Sequence, residues 1–334
     1  MADRFQFARG TAAEWTAANP VLREGEIGLE TDTLAYKIGN GTSNWNSLNY
    51  RELSPEVTAL LLGNISDPSA APSGKLRLYS KSIGGRSMPK FVGESGLDSA
   101  LQPALFGNGI QIIAPSTTTV LSTFGVAAPT FVGTASHPAI TTAGLRAQTR
   151  RAIVTSAATA NSASEIRVAV PQCWRGDAAG LGGFFFTCRF AFSSVVATQR
   201  SFIGLYGSTA AIATTQNPSG ITNIIGVGND LTDTNLQMMV NDGTGTATKV
   251  DLGANFPFTD ANAVYELVLF AAPNAATVKW RMINFTNGAV AEGTFSSDLP
   301  ASTTLLSWHA YLNNGGTAAA VVLEFIRMYL ETDY

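Results

Sequence analysis

Residues 182–194 read GGFFFTCRFAFSS, and this stretch carries the strongest structural signal in the chain. Every second residue from Phe184 to Phe192 is apolar, whereas the positions between them include Thr187 and Arg189. Successive side chains of a β-strand point to opposite faces of a sheet. The alternation therefore predicts a long strand with one face in a hydrophobic core.

Similar apolar runs of strand length follow along the rest of the chain. Clusters of Asn, Asp and Gly separate them, for example at 229–230, 241–243 and 313–316, and these residue types favour turns. Many short strands with regular turn signals are typical of an antiparallel β-sandwich. The sequence therefore predicts an all-β protein with a C-terminal sandwich over residues 151–334.

The composition argues against two classes of partner. The 334 residues carry a formal net charge of -3 with 13% charged residues, so there is no basic surface for nucleic acid. No apolar run approaches the roughly 20 residues that cross a bilayer, and the N-terminus has no apolar signal core. We therefore expect synthesis in a cytoplasm and no membrane insertion. Cys173 and Cys188 are predicted to be free, buried thiols.

A second patterned stretch, residues 25–50, reads GEIGLETDTLAYKIGNGTSNWNSLNY. Ile27 and Leu29 alternate with polar residues, and so do Tyr36 and Ile38, which predicts a small β-hairpin. A hairpin of this size is marginal in water. It needs a partner, and the simplest partner is another copy of the same chain.

Residues 54–63, SPEVTALLLG, are predicted to form a short helix whose apolar face also needs a neighbour. Residues 64–150 are rich in small residues and proline, and we interpret them as an extended connector ordered mainly by contact with other copies. The predicted division of the chain is 1–53, a self-association module; 54–150, the short helix and connector; and 151–334, the sandwich.

Several elements of the N-terminal segment occur together at fixed spacings. They are Arg9, Trp15, Asn19-Pro20, Gly25-Glu26-Ile27-Gly28, Glu30-Thr31-Asp32, Lys37-Ile38-Gly39, Gly41, Trp45 and Leu48. In these elements the chain resembles the N-terminal module of tailed-bacteriophage tail fibre and tailspike proteins. Residues 84–109 resemble the middle connector of such proteins. The C-terminal part is similar to the concanavalin-like (jelly-roll) sandwiches at the tips of phage fibres.

The resemblance implies an intertwined homotrimer near the virion-attachment end of the molecule. It implies a structural protein of the virion tail that is made in the host bacterial cytoplasm. This protein would dock onto a phage tail or baseplate protein and attach to the bacterial surface, by a glycan or another receptor. The residues expected to form the oligomer and attachment surface are Trp15, Ile27, Leu29, Tyr36, Ile38, Trp45, Leu48, Val57, Leu60 and Leu61.

No catalytic constellation is evident in the sequence. A Ser-His-Asp triad needs a carboxylate beside its histidine, and neither His137 nor His309 has an acidic residue nearby in sequence. The acidic residues fall mostly in turn-like positions rather than as a pair that could flank a glycosidic bond. We therefore expect a non-enzymatic protein without a cofactor, although the N-terminal module does not exclude an enzyme. The alternatives are a surface polysaccharide depolymerase or esterase, and a head-fibre or tail-tip scaffold protein.

Aromatic side chains and the amides of loop asparagines commonly contact sugars. The alternative is that the aromatic side chains pack in the core and the asparagines form turns. The candidates for ligand binding are Trp174, Tyr206, Asn229, Trp308, Tyr311, Asn313 and Asn314. Asp230 and Asp233 are a weak candidate Ca²⁺ pair, since carboxylate oxygens suit this cation, but their spacing is not that of an EF-hand. A polar turn is the favoured explanation, so no metal site is predicted.

Overall fold

The computed structural model describes residues 7–51, 60–69, 71–92, 98–100, 109–115, 120–122, 129–178 and 181–332, with the backbone alone for the three short ranges between 98 and 122. The chain divides into two compact units, residues 1–62 and residues 63–334.

The first unit contains β1 (Ala8–Gly10), α1 (Ala12–Ala18), β2 (Ile27–Glu30), β3 (Tyr36–Ile38), a 3-10 helix (Trp45–Ser47) and β4 (Tyr50–Arg51). The second unit begins with β5 (Arg77–Ile83), β6 (Arg86–Val92), β7 (Asp98–Ala100), β8 (Gly109–Pro115), β9 (Val120–Ser122), β10 (Thr130–Val132), β11 (Thr134–Ser136), a 3-10 helix (Leu145–Gln148), β12 (Ala152–Thr155) and β13 (Ala163–Arg167). It continues with β14 (Phe184–Ser194), β15 (Arg200–Tyr206), a 3-10 helix (Pro218–Gly220), β16 (Ile224–Asn229), β17 (Gln237–Asn241), β18 (Thr248–Asp251), β19 (Val264–Ala271), β20 (Val278–Asn284), β21 (Ala289–Phe295), β22 (Ser307–Asn313) and β23 (Val322–Thr332).

The described strands form four sheets. The first unit holds one sheet of order β1-β2-β3-β4. In the second unit a seven-stranded sheet has the order β10-β13-β22-β15-β16-β17-β18. A nine-stranded sheet has the order β11-β12-β23-β14-β19-β20-β21, with β8 also paired to β23 and β9 paired to β8. Strands β5-β6-β7 make a small outer sheet.

Strand β14 lies at the centre of the nine-stranded sheet, between β19 and β23. Its alternate side chains from Phe184 to Phe192 are at most 3% exposed and belong to the core between the two large sheets. Full burial of one Phe side chain contributes about 1.5–3 kcal/mol, so this strand supplies a large share of the driving force. The predicted all-β class, core strand and antiparallel sandwich are confirmed.

The described part of the predicted connector is built into the second unit. Strand β10 joins the seven-stranded sheet through β13, and β11 and β12 join the nine-stranded sheet through β23. Arg146 and Arg151 approach the buried carboxylate of Glu324 at 3.0 and 2.8 Å. The segment from β10 to β12 is therefore held in place by contacts within its own chain, because its strands extend both sheets of the sandwich. Contact of this segment with other copies stays a prediction.

Hairpin β5–β6 covers part of the outer face of the nine-stranded sheet. Phe185 points away from the main core, yet it is only 5% exposed because it packs against Met88 and Val268. At the hairpin turn, Gly85 has a φ of +82°, and a Cβ there would lie 1.9 Å from Cδ of Lys279. Glycine at the turn therefore lets the hairpin lie directly on the sheet.

The first unit has its own small core. Trp15 stacks on Trp45 with ring centroids 4.3 Å apart, and Leu22 joins them. A Cβ at Gly28 would lie 2.5 Å from Cζ3 of Trp45, and a Cβ at Gly39 would lie 2.2 Å from a backbone carbonyl oxygen. Gly28 therefore lets the indole rings approach the hairpin backbone, and Gly39 lets the segment at residues 22–23 approach it.

Helix α1 is not among the elements that we predicted, although a local signal exists. The Thr11 hydroxyl accepts from the Glu14 N–H, and the Glu14 carboxylate accepts from the Thr11 N–H, which is a capping box. The Thr-x-x-Glu spacing of TAAE could have identified it. The helix predicted over 54–63 lies outside the described residues up to 59, and residues 60–63 are not helical.

Gly28→Ala is expected to destabilise the first unit by about 1–3 kcal/mol, because the added methyl group overlaps the Trp45 ring. Hydrogen-exchange mass spectrometry on the full chain should show roughly tenfold or greater loss of protection over residues 27–38. Gly10→Ala is the matched control, because the nearest atom to its Cβ is the flexible Glu14 carboxylate at 3.3 Å. Equal protection in the two variants would contradict this packing.

Candidate functional site

The hairpin of the first unit has one apolar face that its own core does not cover. Ile27 lies opposite Ile38, and Leu29 lies opposite Tyr36, so the four side chains share a face. Ile38 is 39% exposed and the other three are half-buried. The intervening residues, including Gly28, face the two indole rings instead. The hairpin folds against its own helix on one face and presents apolar side chains on the other.

The covered face also holds a compact polar group. Lys37 is buried, and its ammonium donates to the Trp45 carbonyl at 2.8 Å and lies over the Tyr50 ring at 4.1 Å. Tyr50 donates to the Glu30 carboxylate at 2.5 Å, and this hydrogen bond is the main cause that raises the pKa of Tyr50 to about 12. Burial lowers the pKa of Lys37, and the nearby Glu30 charge opposes that change. These contacts fix β4 beside β3 and close this face of the sheet.

The predicted attachment residues therefore separate into groups. Trp15, Trp45 and Leu48 form the internal core of the first unit, whereas the hairpin residues Ile27, Leu29, Tyr36 and Ile38 form its apolar face. Leu60 is 63% exposed and Leu61 is 98% exposed, and Val57 lies outside the described residues.

The structure places most of the predicted ligand-binding residues inside the sandwich. The fully buried ones are Asn229, Trp308, Tyr311, Asn313 and Asn314. Trp308 is in the main core against Phe325, and Tyr311 is under the loop 207–223 in a second, smaller core. Their side chains cannot reach a ligand in this conformation. Trp174 and Tyr206 remain half-buried and within reach of solvent.

The asparagines have structural partners instead. Asn229 donates to the Gln199 carbonyl at 2.8 Å, and Asn313 accepts from the Gly315 N–H at 2.7 Å. Asn314 donates to the Thr159 carbonyl at 2.7 Å. These amides satisfy backbone groups of buried turns, which is the turn-forming role that Asn commonly has.

His309 has an acidic neighbour that the sequence did not place beside it. Its Nδ1 lies 3.0 Å from the Glu165 carboxylate, and its Nε2 lies 2.9 Å from the Ser208 carbonyl and 3.2 Å from the Ser307 hydroxyl. Both His309 and Glu165 are at most 1% exposed. In space, the Ser307 hydroxyl, the His309 imidazole and the Glu165 carboxylate follow one another as the three groups of a hydrolytic triad do.

The same contacts tie loop 207–213 to the sheet. The Ser307 hydroxyl donates to the Ser208 carbonyl at 2.8 Å, and Arg167 donates to the Thr209 carbonyl at 3.1 Å. The Ile212 N–H donates to the Glu165 carboxylate. The loop carbonyl therefore lies directly at His309 Nε2, and the group can act on a substrate only if loop 207–213 moves. Glu165 is 144 residues from His309, and only the pairing of β13 with β22 brings them together.

At the candidate calcium pair, a lysine lies between the two carboxylates. The Lys249 ammonium is 3.0 Å from Asp230 and 2.6 Å from Asp233, and one oxygen of each carboxylate also accepts a backbone N–H. The positive charge that these carboxylates bind in this structure is therefore a side chain of the same chain. In the described part of the chain, no group of three or more His, Cys, Asp or Glu side chains is placed to hold a metal ion.

The described helices of both units are short, with seven residues in α1, and none of them could span a bilayer.

Comparison with known proteins connects the first unit to phage proteins. Residues 6–43 match the family described as "Major tropism determinant N-terminal domain". Over 47 residues the chain is 47% identical to a protein of Streptococcus pyogenes phage H4489A named "Hyaluronoglucosaminidase". That match covers 14% of this chain and 13% of the relative, so the shared part is a small fraction of both.

The solved structures with a similar fold include peanut lectin, lectin II from Ulex europaeus and a carbohydrate esterase from Shiga toxin-encoding bacteriophage phi24B. Peanut lectin is 12% identical, with 67% of this chain and 97% of the lectin covered and a TM-score of 0.45. The Ulex lectin is 17% identical, with 62% of this chain and 93% of the lectin covered and a TM-score of 0.40. The esterase is 15% identical, with 62% of this chain and 90% of the esterase covered and a TM-score of 0.37. At these TM-scores the similarities carry no functional weight.

Two of our expectations are decided by the matches. The resemblance of the N-terminal segment to phage tail proteins is confirmed by the tropism-determinant family and the phage relative. The prediction that this protein is not an enzyme is contradicted, because the phage relative that shares the 47-residue stretch carries the enzyme name "Hyaluronoglucosaminidase".

Proposed function

We propose that this chain is a phage receptor-binding protein of the virion tail. Its first unit attaches it to the phage particle and joins it to other copies, and its sandwich contacts a glycan on the bacterial surface. The observation that carries the proposal is the match of residues 6–43 to a tropism-determinant domain. That range contains Trp15, Gly28 and Gly39, on which the packing of the first unit depends.

The apolar face of the hairpin supports self-association. A unit of about 60 residues buries a smaller share of its surface than a larger domain does, and apolar faces left open on such units are commonly covered by oligomerisation. Ile27, Leu29, Tyr36 and Ile38 form a continuous patch for a second copy of this chain. The resemblance to phage fibre modules implies that the number of copies is three.

Three copies also suit the chemistry of glycan recognition. A single shallow sugar site binds weakly, but sites joined on one particle act at high effective concentration, so the combined binding is far tighter than that of one site. A trimer therefore allows firm attachment without a deep, highly apolar cleft in each sandwich.

Light scattering on the purified chain is expected to give about 105 kDa, which is three chains of 35.0 kDa. Ile38→Glu should shift the mass toward 35.0 kDa, because it places a charge in the apolar face. Ala17→Glu is the control, since it adds the same charge at an exposed position of α1. A wild-type monomer, or an Ile38→Glu trimer, would refute self-association through this face.

Binding to bacterial surface polysaccharide can be measured on an array of immobilised bacterial glycans. The wild-type chain is expected to bind a defined subset of the array, and Ile38→Glu should weaken this binding roughly 100-fold or more through lost avidity. A wild-type trimer that binds no glycan on the array and no bacterial cell would refute the receptor-binding proposal.

A second candidate function is cleavage of a bacterial polysaccharide. The name of the phage relative suggests it. Once loop 207–213 moves away from His309 Nε2, the Ser307–His309–Glu165 group would supply a nucleophile, a base and an orienting carboxylate. This group suits an ester bond better than a glycosidic bond, because glycoside cleavage normally uses two carboxylates. Each of the two described cavities on the outer face of the nine-stranded sheet is lined by one carboxylate, Glu331 or Glu292.

Under this second candidate, the wild-type chain releases acetate from O-acetylated bacterial polysaccharide and Ser307→Ala does not. Hyaluronan is used as a second substrate, and cleavage of its glycosidic bonds is measured as the release of reducing ends. Ser194→Ala controls for the loss of a hydroxyl that bonds only a backbone carbonyl. No acetate or reducing ends from the wild-type chain, or equal release by Ser307→Ala and the wild type, would remove this group from consideration as a catalytic site.

A further inference from the structure

The outer face of the nine-stranded sheet holds a cavity of about 220 Å³ beside hairpin β5–β6. Its lining includes Arg86 of the hairpin, Phe185 and Phe270 of the sheet, Pro273, Glu331 and Thr332. The cavity is separate from the His309 group, which lies on the outer face of the other large sheet.

An ion pair forms the polar wall of this cavity. The Arg86 guanidinium donates to both oxygens of the Glu331 carboxylate at 2.6 Å, and the Tyr329 hydroxyl donates to the same carboxylate at 2.9 Å. The Glu331 side chain is 3% exposed and that of Arg86 is 22% exposed. A buried carboxylate beside a partly accessible guanidinium gives this wall an acceptor and donors, and the pair itself is neutral.

Aromatic rings form the apolar wall. Phe185 is 5% exposed, Phe270 is half-buried, and the two are neighbours across β14 and β19. The Arg86 guanidinium lies over the Phe185 ring at 5.2 Å from the centroid, so the polar and apolar walls meet at this side chain.

The rim of the cavity is held in a fixed conformation. Buried Arg175 donates to the Ala275 carbonyl at 2.7 Å and to the Pro300 carbonyl at 2.6 Å, which fastens the loop after Pro273. A Cβ at Gly183 would lie 2.6 Å from the Pro273 nitrogen, so the two segments touch through backbone atoms. Fixed walls reduce the ordering cost of binding a small ligand.

We propose that this cavity is a subsite for one uncharged sugar ring of the surface glycan, an inference that rests on the proposed receptor-binding function. A sugar ring has apolar C–H faces that pack on aromatic rings and hydroxyl groups that both donate and accept. The Phe185–Phe270 wall and the Arg86–Glu331 pair match these two kinds of surface. The volume is below the range of drug-sized pockets, which suits a single ring rather than a longer chain.

The charge balance selects the class of sugar. Glu331 neutralises Arg86, so this ion pair offers no excess positive charge to a sialic or uronic acid. The ligand is therefore a neutral hexose, deoxyhexose or N-acetylhexosamine.

Saturation-transfer NMR on the full chain tests the subsite. The probes are glucose, galactose, mannose, rhamnose, N-acetylglucosamine and N-acetylgalactosamine, with glucuronate as the charged comparison. At least one neutral sugar is expected to bind with a Kd on the order of 1 mM. Glu331→Gln and Phe270→Ala should each weaken it roughly tenfold or more, through a lost charged hydrogen-bond acceptor and a lost ring face.

Matched controls exist on the same sheet face. Glu266→Gln removes another carboxylate that is paired with arginines, Arg189 and Arg327, outside the cavity. Phe285→Ala removes another partly exposed ring, which packs on Arg189. Both controls should leave the sugar affinity within about twofold.

Each outcome decides the proposal. It is overturned if no neutral sugar binds, if glucuronate binds better than every neutral sugar, or if the cavity variants and the controls weaken binding equally. It is also overturned if the wild-type chain binds the glycan array and the two cavity variants bind it just as well, and in that case the receptor-binding function stands while the subsite fails. If the cavity variants unfold, Thr332→Val, which removes one hydroxyl from the lining, takes their place with the same expected direction.

Discussion

The burial of strand β14 is the constraint on which the rest of the sandwich depends. Its phenylalanines on one face require a second sheet, which the seven-stranded sheet supplies. Its other face begins with Phe185, which requires a further cover, and hairpin β5–β6 supplies that cover through Met88. A central strand with apolar residues on both faces therefore produces a layered structure rather than a simple two-sheet sandwich.

Buried carboxylates attach the outer segments to these sheets. Glu331 binds Arg86 of the hairpin, Glu324 binds Arg146 of the segment before β12, and Glu165 binds the N–H of Ile212 in the loop over the seven-stranded sheet. Ion pairs of this kind give little net stability, because desolvation offsets most of their attraction. Their effect here is positional, since an outer segment shifted along the sheet would leave a buried carboxylate without its partner.

The first unit also has to cover the apolar faces of a sheet, but it contains far fewer residues. Two stacked tryptophans cover one face of a four-stranded sheet, and Gly28 lets them approach it. Among the described residues of this unit, Ile27, Leu29 and Tyr36 stay half-buried and Ile38 is exposed, so this face of the sheet remains apolar and partly open. This partly open apolar face is the surface on which the proposed self-association rests.

The strands and their periodicity can be predicted from local sequence. The alternation at Phe184–Phe192 and at Ile27–Ile38 identifies β14 and the β2–β3 hairpin, because side-chain direction along a strand is a local property. Which face of a strand is covered depends instead on contacts between distant segments. The hairpin buries the side of Gly28 rather than that of Ile27, and loop 207–223 buries Tyr311, whose sequence context resembles that of an exposed ligand-binding residue. Contacts such as Glu165 with His309 and Arg86 with Glu331 join residues 144 and 245 positions apart. Contacts between residues so far apart in sequence depend on the order of the strands in the sheets, which cannot be predicted from a local sequence pattern.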